Sequence, residues 1–271
     1  MKKWILFLAA VLIVSLLAAC GGEEASSGEK KEITIGATSG PYSDMVTKAI
    51  KPGLEEKGYT VEVKEFSDYI QPNNALAQGD LDANLFQHKI YMETFAEQHG
   101  MELSEVIVVP TAPMGIYSNK FDSLDTIKEG SAISIPNDPT NAARAFQILE
   151  DAELITLKEG TDPLTVSEKD IDKNVKNLQF KPIEAAQLPR AVESVDLSAV
   201  PGNYALAAKM DLLDALQLEN MPDQYRNRVV MNTKDVDSQI AKDIKAVVEA
   251  DEFEKTIDEE FKGFGKPEWM E

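Results

Sequence analysis

The sequence has one cysteine, two histidines and two tryptophans in 271 residues. A single cysteine excludes an internal disulfide framework. It also excludes a cysteine-rich zinc site, and two histidines leave little for a histidine-rich one. Basic residues are scarce: 27 Lys and Arg stand against 47 Asp and Glu, a formal charge of −20. So acidic a chain is a poor match for nucleic acid, whose phosphate backbone is bound by clustered cations. It carries no polybasic patch for a membrane surface. Gly-x-Ser-x-Gly, His-Glu-x-x-His and phosphate-loop signatures are missing, which argues against an enzyme and calls for no cofactor. Hydrophobic residues make up 43% and charged residues 27%, as in ordinary globular proteins. The length allows one or two domains and a core that needs no disulfide or metal staple.

The N-terminus differs from the rest. Lys2 and Lys3 precede an apolar run, Trp4 to Ala19, broken only by Ser15. At ~1.5 Å per residue this run reaches ~24 Å, short of a ~30 Å hydrocarbon core. It fits a secretory signal over residues 1–19 better than a spanning helix. Leu17-Ala18-Ala19-Cys20 resembles a bacterial lipobox, which implies cleavage before Cys20 and lipidation of its thiol and amine, with palmitate among the acyl chains. Residues 20–31, the lipidated Cys20 and GGEEASSGEKK, hold no large apolar side chain and read as a flexible tether. The mature charge is 25 − 47 = −22. The expectation is a protein anchored to the cell membrane on its extracytoplasmic face, not spanning it.

Beyond the tether, strand and helix patterns alternate. Ile33 and Ile35 alternate with polar residues, and Met45, Val46, Ala49 and Ile50 follow at helical spacing up to Gly58. Val61, Val63 and Phe66 predict a strand. Pro72 to Ala77 predicts a short helix, Lys89 to Gly100 another. Val106 to Val109 and Met114 to Tyr117 are short strands. The pattern then restarts. Ala132 to Ile135 is a strand, and Ala142, Ala145, Phe146 and Leu149 define an amphipathic helix. Ser167 with Asp170 predicts the cap of a helix carrying Ile171, Val175 and Leu178. Strands are expected at Leu178 to Ile183 and Leu197 to Val200, and a helix at Leu188 to Val192. Val236, Ile240, Ile244 and Val247 form one stripe near the C-terminus. Repeated βα units predict an α/β fold with largely parallel sheets. Two rounds predict two lobes: residues 32–111 plus 232–271, and residues 112–231. In such folds ligands lie at strand ends and between lobes.

Three strand-end segments carry polar or aromatic chemistry. In Pro136-Asn137-Asp138-Pro139-Thr140-Asn141-Ala142-Ala143-Arg144, Asn141 and Arg144 share a face in the first turn of a helix. Free N–H groups and an Arg fork there make a carboxylate receptor. By residue type alone, Arg144 equally suits a salt bridge with one of the many acids. In Asn84-Leu85-Phe86-Gln87-His88-Lys89-Ile90-Tyr91, Phe86, His88 and Tyr91 cluster at a strand-to-helix turn and fit a slot for an apolar or thioether side chain. A structural histidine fits that segment as well. Tyr69, just past the strand ending at Phe66, is the third candidate, and an exposed tyrosine behind a helix cap is its alternative.

These segments resemble the NlpA-type methionine-binding lipoproteins of ABC importers. The resemblance rests on FSDYIQPNNALAQGDLDANLFQHK (66–89), APMGIYS (112–118), IPNDPTN with Arg144-Ala145 (135–145) and AAQLPRAVESVDLSAV (185–200). It implies a periplasmic-binding-protein-like (type II) fold whose two α/β lobes close over a ligand. By position it implies that Tyr69, Phe86, His88 and Tyr91 line the side-chain pocket, while Asn141 and Arg144 hold the carboxylate and amino end. It implies separate ABC permease and ATPase partners, and a ligand that is methionine or a methionine-containing compound.

The chain departs from the family pattern at three places. Ile90 stands where Pro is common, and Tyr42 follows Gly40-Pro41 where His is common. Pro201 stands where the family commonly places an Asn that contacts the ligand's amino-acid end. Proline offers neither an N–H nor a polar side chain, and a lost buried polar partner costs about 1–3 kcal/mol. Asn203 is the nearest substitute. The expectation is that the ligand differs at this end, as a methionine-containing dipeptide or a methionine derivative would. A surface lipoprotein without a transport role is the competing reading.

Overall fold

The computed structural model describes residues 32–270. The signal segment, Cys20 and the tether lie outside the described residues. No helix among the described residues is long and apolar enough to cross a membrane.

The chain first lays down β1 (Glu32–Thr38), β2 (Thr60–Phe66), β3 (Ala83–His88) and β4 (Leu103–Val108). It then forms β5 (Gly115–Tyr117), β6 (Ala132–Pro136), β7 (Ile155–Leu157), β8 (Ile171–Asn174), β9 (Gln179–Ile183), β10 (Leu197–Val200) and β11 (Gln217–Leu218), before returning as β12 (Asn227–Asn232). Two five-stranded sheets result, ordered β2-β1-β3-β12-β4 and β11-β5-β10-β6-β9, with a small β7-β8 ribbon. The β1 pairings with β2 and β3, and the β6 pairings with β9 and β10, are parallel. β12 runs antiparallel to β3 and β4, and β5 antiparallel to β10 and β11. The sheets are therefore mixed.

Each sheet is covered on both faces, as strand alternation dictates. In β12, Val229 and Met231 enter a core with Ile33, Ile35 and Leu85, while Val230 enters another with Leu76 and Met92. In the second sheet, Ile133 and Ile135 pack with Phe146 and Leu149 of helix Pro139–Asp151. Val200 and Leu188 belong to the opposite core.

The long helical stretch after β1 runs Pro41–Met45, a π-helical turn Val46–Ile50, then Lys51–Glu56. Pro52 explains the turn, since its ring clashes with the carbonyl four residues back and it supplies no N–H to an α-helical bond. Gly53 lets this stretch press on helix Gln239–Val248: a Cβ there would lie 2.7 Å from Val247 Cγ1.

Three expectations change. The capping box at Ser167 and Asp170 forms, but it caps only the turn Glu168–Asp170, and Ile171 starts β8. Pairing with β7 outcompetes a stripe whose Val175 is 56% exposed. The two sheets, expected to be largely parallel, carry as many antiparallel as parallel pairings, while the C-terminal stripe does form, with Ile240, Ile244 and Val247 in helix Gln239–Val248, and a second helix, Asp251–Glu260, follows Ala250, whose backbone is extended. Finally, the sequence pattern assigns residues up to 231 to the second lobe, yet β12 lies in the first sheet, so the chain returns there before Asn227, not at 232. Its NRVVMN sequence has no clean alternation because both faces are buried.

The two sheets meet where helix Gly202–Ala207 abuts the connection at Ala112 and Pro113. A Cβ on Gly202 would lie 2.4 Å from the Pro113 carbonyl oxygen and 2.7 Å from Ala112 Cβ. Both neighbours belong to the chain segment linking the sheets. Gly202→Ala is expected to cost about 2 kcal/mol through overpacking, a fall of about 4–8 °C in Tm, measured by calorimetry on the purified protein.

Candidate functional site

The ends of β1, β2, β3, β6 and β10 converge on one narrow cavity. Tyr69, Phe86, His88, Tyr91, Asn141, Arg144 and Asn203 all line it. The structure thus brings together every ligand residue expected from the sequence.

The aromatic wall comes from the first sheet. Past β2, Asp68 Oδ1 accepts the N–H groups of Ile70 and Gln71 at 2.7 and 2.8 Å and starts helix Gln71–Gln78. That turn throws Tyr69 into the cavity. Its ring lies 5.9 Å from both Phe86 and Tyr91 and 5.0 Å from Tyr204. The Tyr91 hydroxyl donates to the Tyr69 carbonyl at 2.9 Å, which leaves the Tyr91 ring as its contribution to the wall. Behind β3, Asn73, Asn84 and Gln87 form a buried amide network, with Gln87 Nε2 donating to Asn73 Oδ1 at 2.7 Å and Asn73 Nδ2 returning to Gln87 Oε1 at 2.8 Å. Buried amides satisfied this fully fix their strand rigidly.

His88 caps helix Lys89–His99. Its Nδ1 accepts the Tyr91 N–H at 3.1 Å, so the proton of the neutral ring sits on Nε2. That Nε2–H donates to Asn141 Oδ1 at 3.3 Å. Burial, reinforced by the nearby Arg144 charge, pushes the His88 pKa well below the usual histidine range. Burial likewise pushes the phenols of Tyr42, Tyr69, Tyr91 and Tyr204 upward, so they stay neutral.

The opposite wall comes from helix Pro139–Asp151. Asp138 is its N-cap, accepting the Asn141 N–H at 2.9 Å and the Asn141 amide at 3.1 Å. This fixes Asn141 with Oδ1 toward His88 and Arg144. Asn141 and Arg144 share one face as their spacing predicts, and both are buried. Arg144 is also in a salt bridge, the alternative its residue type left open. Its Nε and Nη2 donate to the two carboxylate oxygens of Glu219 at 2.8 and 2.6 Å. Burial opposes its charge, but Glu219 outweighs this and raises the pKa, holding the guanidinium protonated. Nη1 donates to Asn141 Oδ1 at 2.9 Å. Three of the five guanidinium N–H groups are thereby engaged. The Tyr225 ring supports the cation at 5.3 Å and meets His88 edge-on at 5.1 Å.

Asn203 closes the cavity from the second sheet. It is 4% exposed, and its Oδ1 accepts the Tyr69 hydroxyl at 2.7 Å. Its Nδ2 is buried with no protein partner. Pro201 also lines the cavity, its carbonyl accepting the N–H groups of Tyr204 and Ala205 at 3.0 Å. Gly40, at φ +100°, sits where a Cβ would be 2.9 Å from Ala207 Cβ, so the opposing walls meet nearly backbone to backbone.

Sequence reasoning missed Glu219, Thr111, Tyr225 and Asn227, and named Tyr42 only as a departure from the family pattern. Tyr42 stands out as the residue after Gly40-Pro41, a strand-end position that signals a cleft. Asn227 opens β12, whose sequence gives no strand signal. Glu219 carries no local signal at all.

Residues 33–269 match the model of the NlpA lipoprotein family. The chain belongs to that family. Among NlpA-family relatives, the D-methionine-binding lipoprotein MetQ of Salmonella typhi is 34% identical over 262 residues, 95% of each chain. The methionine-binding lipoprotein MetQ of Bacillus subtilis is 35% identical over 270 residues, 97% of each. Among solved structures, a nutrient-binding protein from Burkholderia cenocepacia bound to methionine is 37% identical, with a TM-score of 0.81 over 85% of this chain and 97% of that one. The methionine-binding protein MetQ is 32% identical, with a TM-score of 0.83 over 89% and 100%. The fold is the two-lobed α/β arrangement of these binding proteins.

The depressed His88 pKa has a consequence for stability in this NlpA-family chain. Below about pH 6.5 the unfolded chain takes up a proton on His88 that the folded protein refuses, so stability falls as the pH drops. Thermal melts between pH 7 and 5 are expected to show this fall, with a slope of up to about 1.4 kcal/mol per pH unit from this residue. His88→Gln should flatten it, whereas an unchanged slope would place His88 in contact with solvent.

Proposed function

We propose that this chain is the substrate-binding lipoprotein of an ABC importer. It holds methionine or a close methionine-containing compound between its lobes and delivers it to a separate permease with its ATPase. The observation that carries the reading is the meeting of two chemistries in one small cavity. One wall is aromatic, from Tyr69, Phe86 and Tyr91, and suits a thioether side chain. The other presents the Arg144 fork, with two N–H groups left for a carboxylate.

The reading is of capture and release, not turnover. Both His88 ring nitrogens are committed to hydrogen bonds, so the ring is no free base. The lobes are assigned to residues 32–111 with the returning C-terminal part from β12 onward, and to the stretch between. The anchor is assigned to Cys20 at the extracytoplasmic face of the cell membrane. The names of the MetQ relatives support methionine as the ligand class.

Asn203 favours a second reading of the ligand's amino end. With Oδ1 spent on Tyr69, its buried Nδ2 offers a donor. A donor suits a carbonyl oxygen, whereas an ammonium needs an acceptor. A methionine-containing dipeptide supplies such a carbonyl where Pro201 supplies nothing.

Calorimetric titration with free methionine and with methionine-containing dipeptides tests both readings. Either ligand at 100 times its Kd should raise stability by about 2.7 kcal/mol. Arg144→Met should weaken binding by about 100-fold or more, the scale of a lost buried charge pair. Tight free methionine with no dipeptide binding would discard the second reading. No ligand-dependent stabilisation across amino acids and dipeptides would favour a surface lipoprotein and discard both.

A further inference from the structure

We propose that Glu219 is the positioning residue for the charged end of the cleft: it aims the Arg144 fork and cancels its charge, so that the site selects a zwitterion over an anion. This rests on the reading that Arg144 holds the ligand's carboxylate.

Glu219 is held from two directions. Its own backbone N–H donates to the Met114 carbonyl at 2.9 Å, and its Oε2 accepts the Met114 N–H at 3.0 Å. Met114 is fully buried, so this clamp is rigid. The two carboxylate oxygens take one edge of the guanidinium, Nε and Nη2. Tyr225 supports the cation through its ring, and Gln147 fixes Tyr225 through its hydroxyl at 2.8 Å. Only one N–H on each of Nη1 and Nη2 remains, and these are the donors available to a ligand. An arginine free of Glu219 would present any of its edges.

The charge count follows from the same contact. Arg144 is the only formally charged side chain among the described residues lining the cavity. The side chains of Arg144 and Glu219 are 6% and 5% exposed, so solvent screens little between them. The pair is neutral as a unit. Asp138, the N-cap of the helix that carries Arg144, spends its carboxylate on the Thr140 hydroxyl and on Asn141. A zwitterion therefore brings a carboxylate to two aimed donors while its ammonium meets no uncompensated cation. A ligand with a carboxylate and no ammonium gains nothing from net charge, because the cleft has none to offer.

The test is calorimetric titration of the full mature chain with methionine, a zwitterion, and with N-acetylmethionine, an anion lacking the ammonium. Glu219→Gln leaves Arg144 uncompensated. It is expected to weaken methionine about tenfold and to shift the ratio of the two affinities toward N-acetylmethionine by about tenfold or more. Unchanged affinities, or equal losses for both ligands, would overturn the proposal, since a purely structural prop does not alter the ratio. Glu219→Asp keeps the charge and shortens the reach. It should weaken both ligands together and leave their ratio within about twofold, and it carries the test where the Gln variant does not fold. An Asp variant that binds methionine as tightly as the parent would overturn the positioning role. Arg144→Met separates the two ideas: methionine binding untouched by that change would remove the carboxylate reading itself, whatever Glu219 does.

Discussion

A guanidinium buried between two lobes sets the terms for the rest of the site. Arg144 is 5% exposed, and an uncompensated charge at that depth would not be tolerated. Its surroundings answer that demand in layers. Glu219 supplies the opposite charge, Asn141 a carbonyl oxygen and Tyr225 an aromatic face. Each partner is fixed in turn by Met114, Asp138 or Gln147. His88 stays neutral partly because this cation lies nearby. The polar side of the cavity is thus one connected structure, and changing any member alters the field felt by the others.

The aromatic side is organised differently. Tyr69, Phe86, Tyr91 and Tyr204 meet at centroid distances between 5.0 and 5.9 Å where they touch, mostly tilted or edge-to-face. Their hydroxyls point away from the wall to backbone or amide partners: Tyr91 to Tyr69, Tyr204 to Ser67 and Tyr69 to Asn203. This leaves ring faces and edges toward the cavity, a surface that suits a polarizable sulfur chain better than a charged one. Two of these bonds, from Tyr204 and Tyr69, also join the two sheets' sides of the cavity.

What the sequence made legible was local. Asn141 and Arg144 were readable because a proline-bounded strand end, a cap and a three-residue spacing all lie within nine positions. Phe86, His88 and Tyr91 were readable for the same reason. Long-range pairing was not legible. Glu219 lies 75 residues from Arg144 and is one of 47 acids, with nothing beside it to mark it out. β12 was missed because a strand buried on both faces has no alternation to read. At residues 167–178 the cap was real but the helix was not. A capping box specifies a turn, and tertiary pairing decides whether that turn continues as helix or gives way to strand. The family resemblance supplied the cleft and the two lobes, which periodicity alone could only outline.

The place of β12 also bears on the order in which the molecule can assemble. The second sheet is made from one unbroken stretch of chain, β5 to β11, and can form as soon as that stretch is present. The first sheet cannot: its fourth position belongs to a strand that begins at Asn227, so β4 has no neighbour until nearly the whole polypeptide is available. A chain appearing N-terminus first must therefore keep β1 to β4 incomplete while more than a hundred further residues emerge. The half of the protein that comes out first is the half that finishes last.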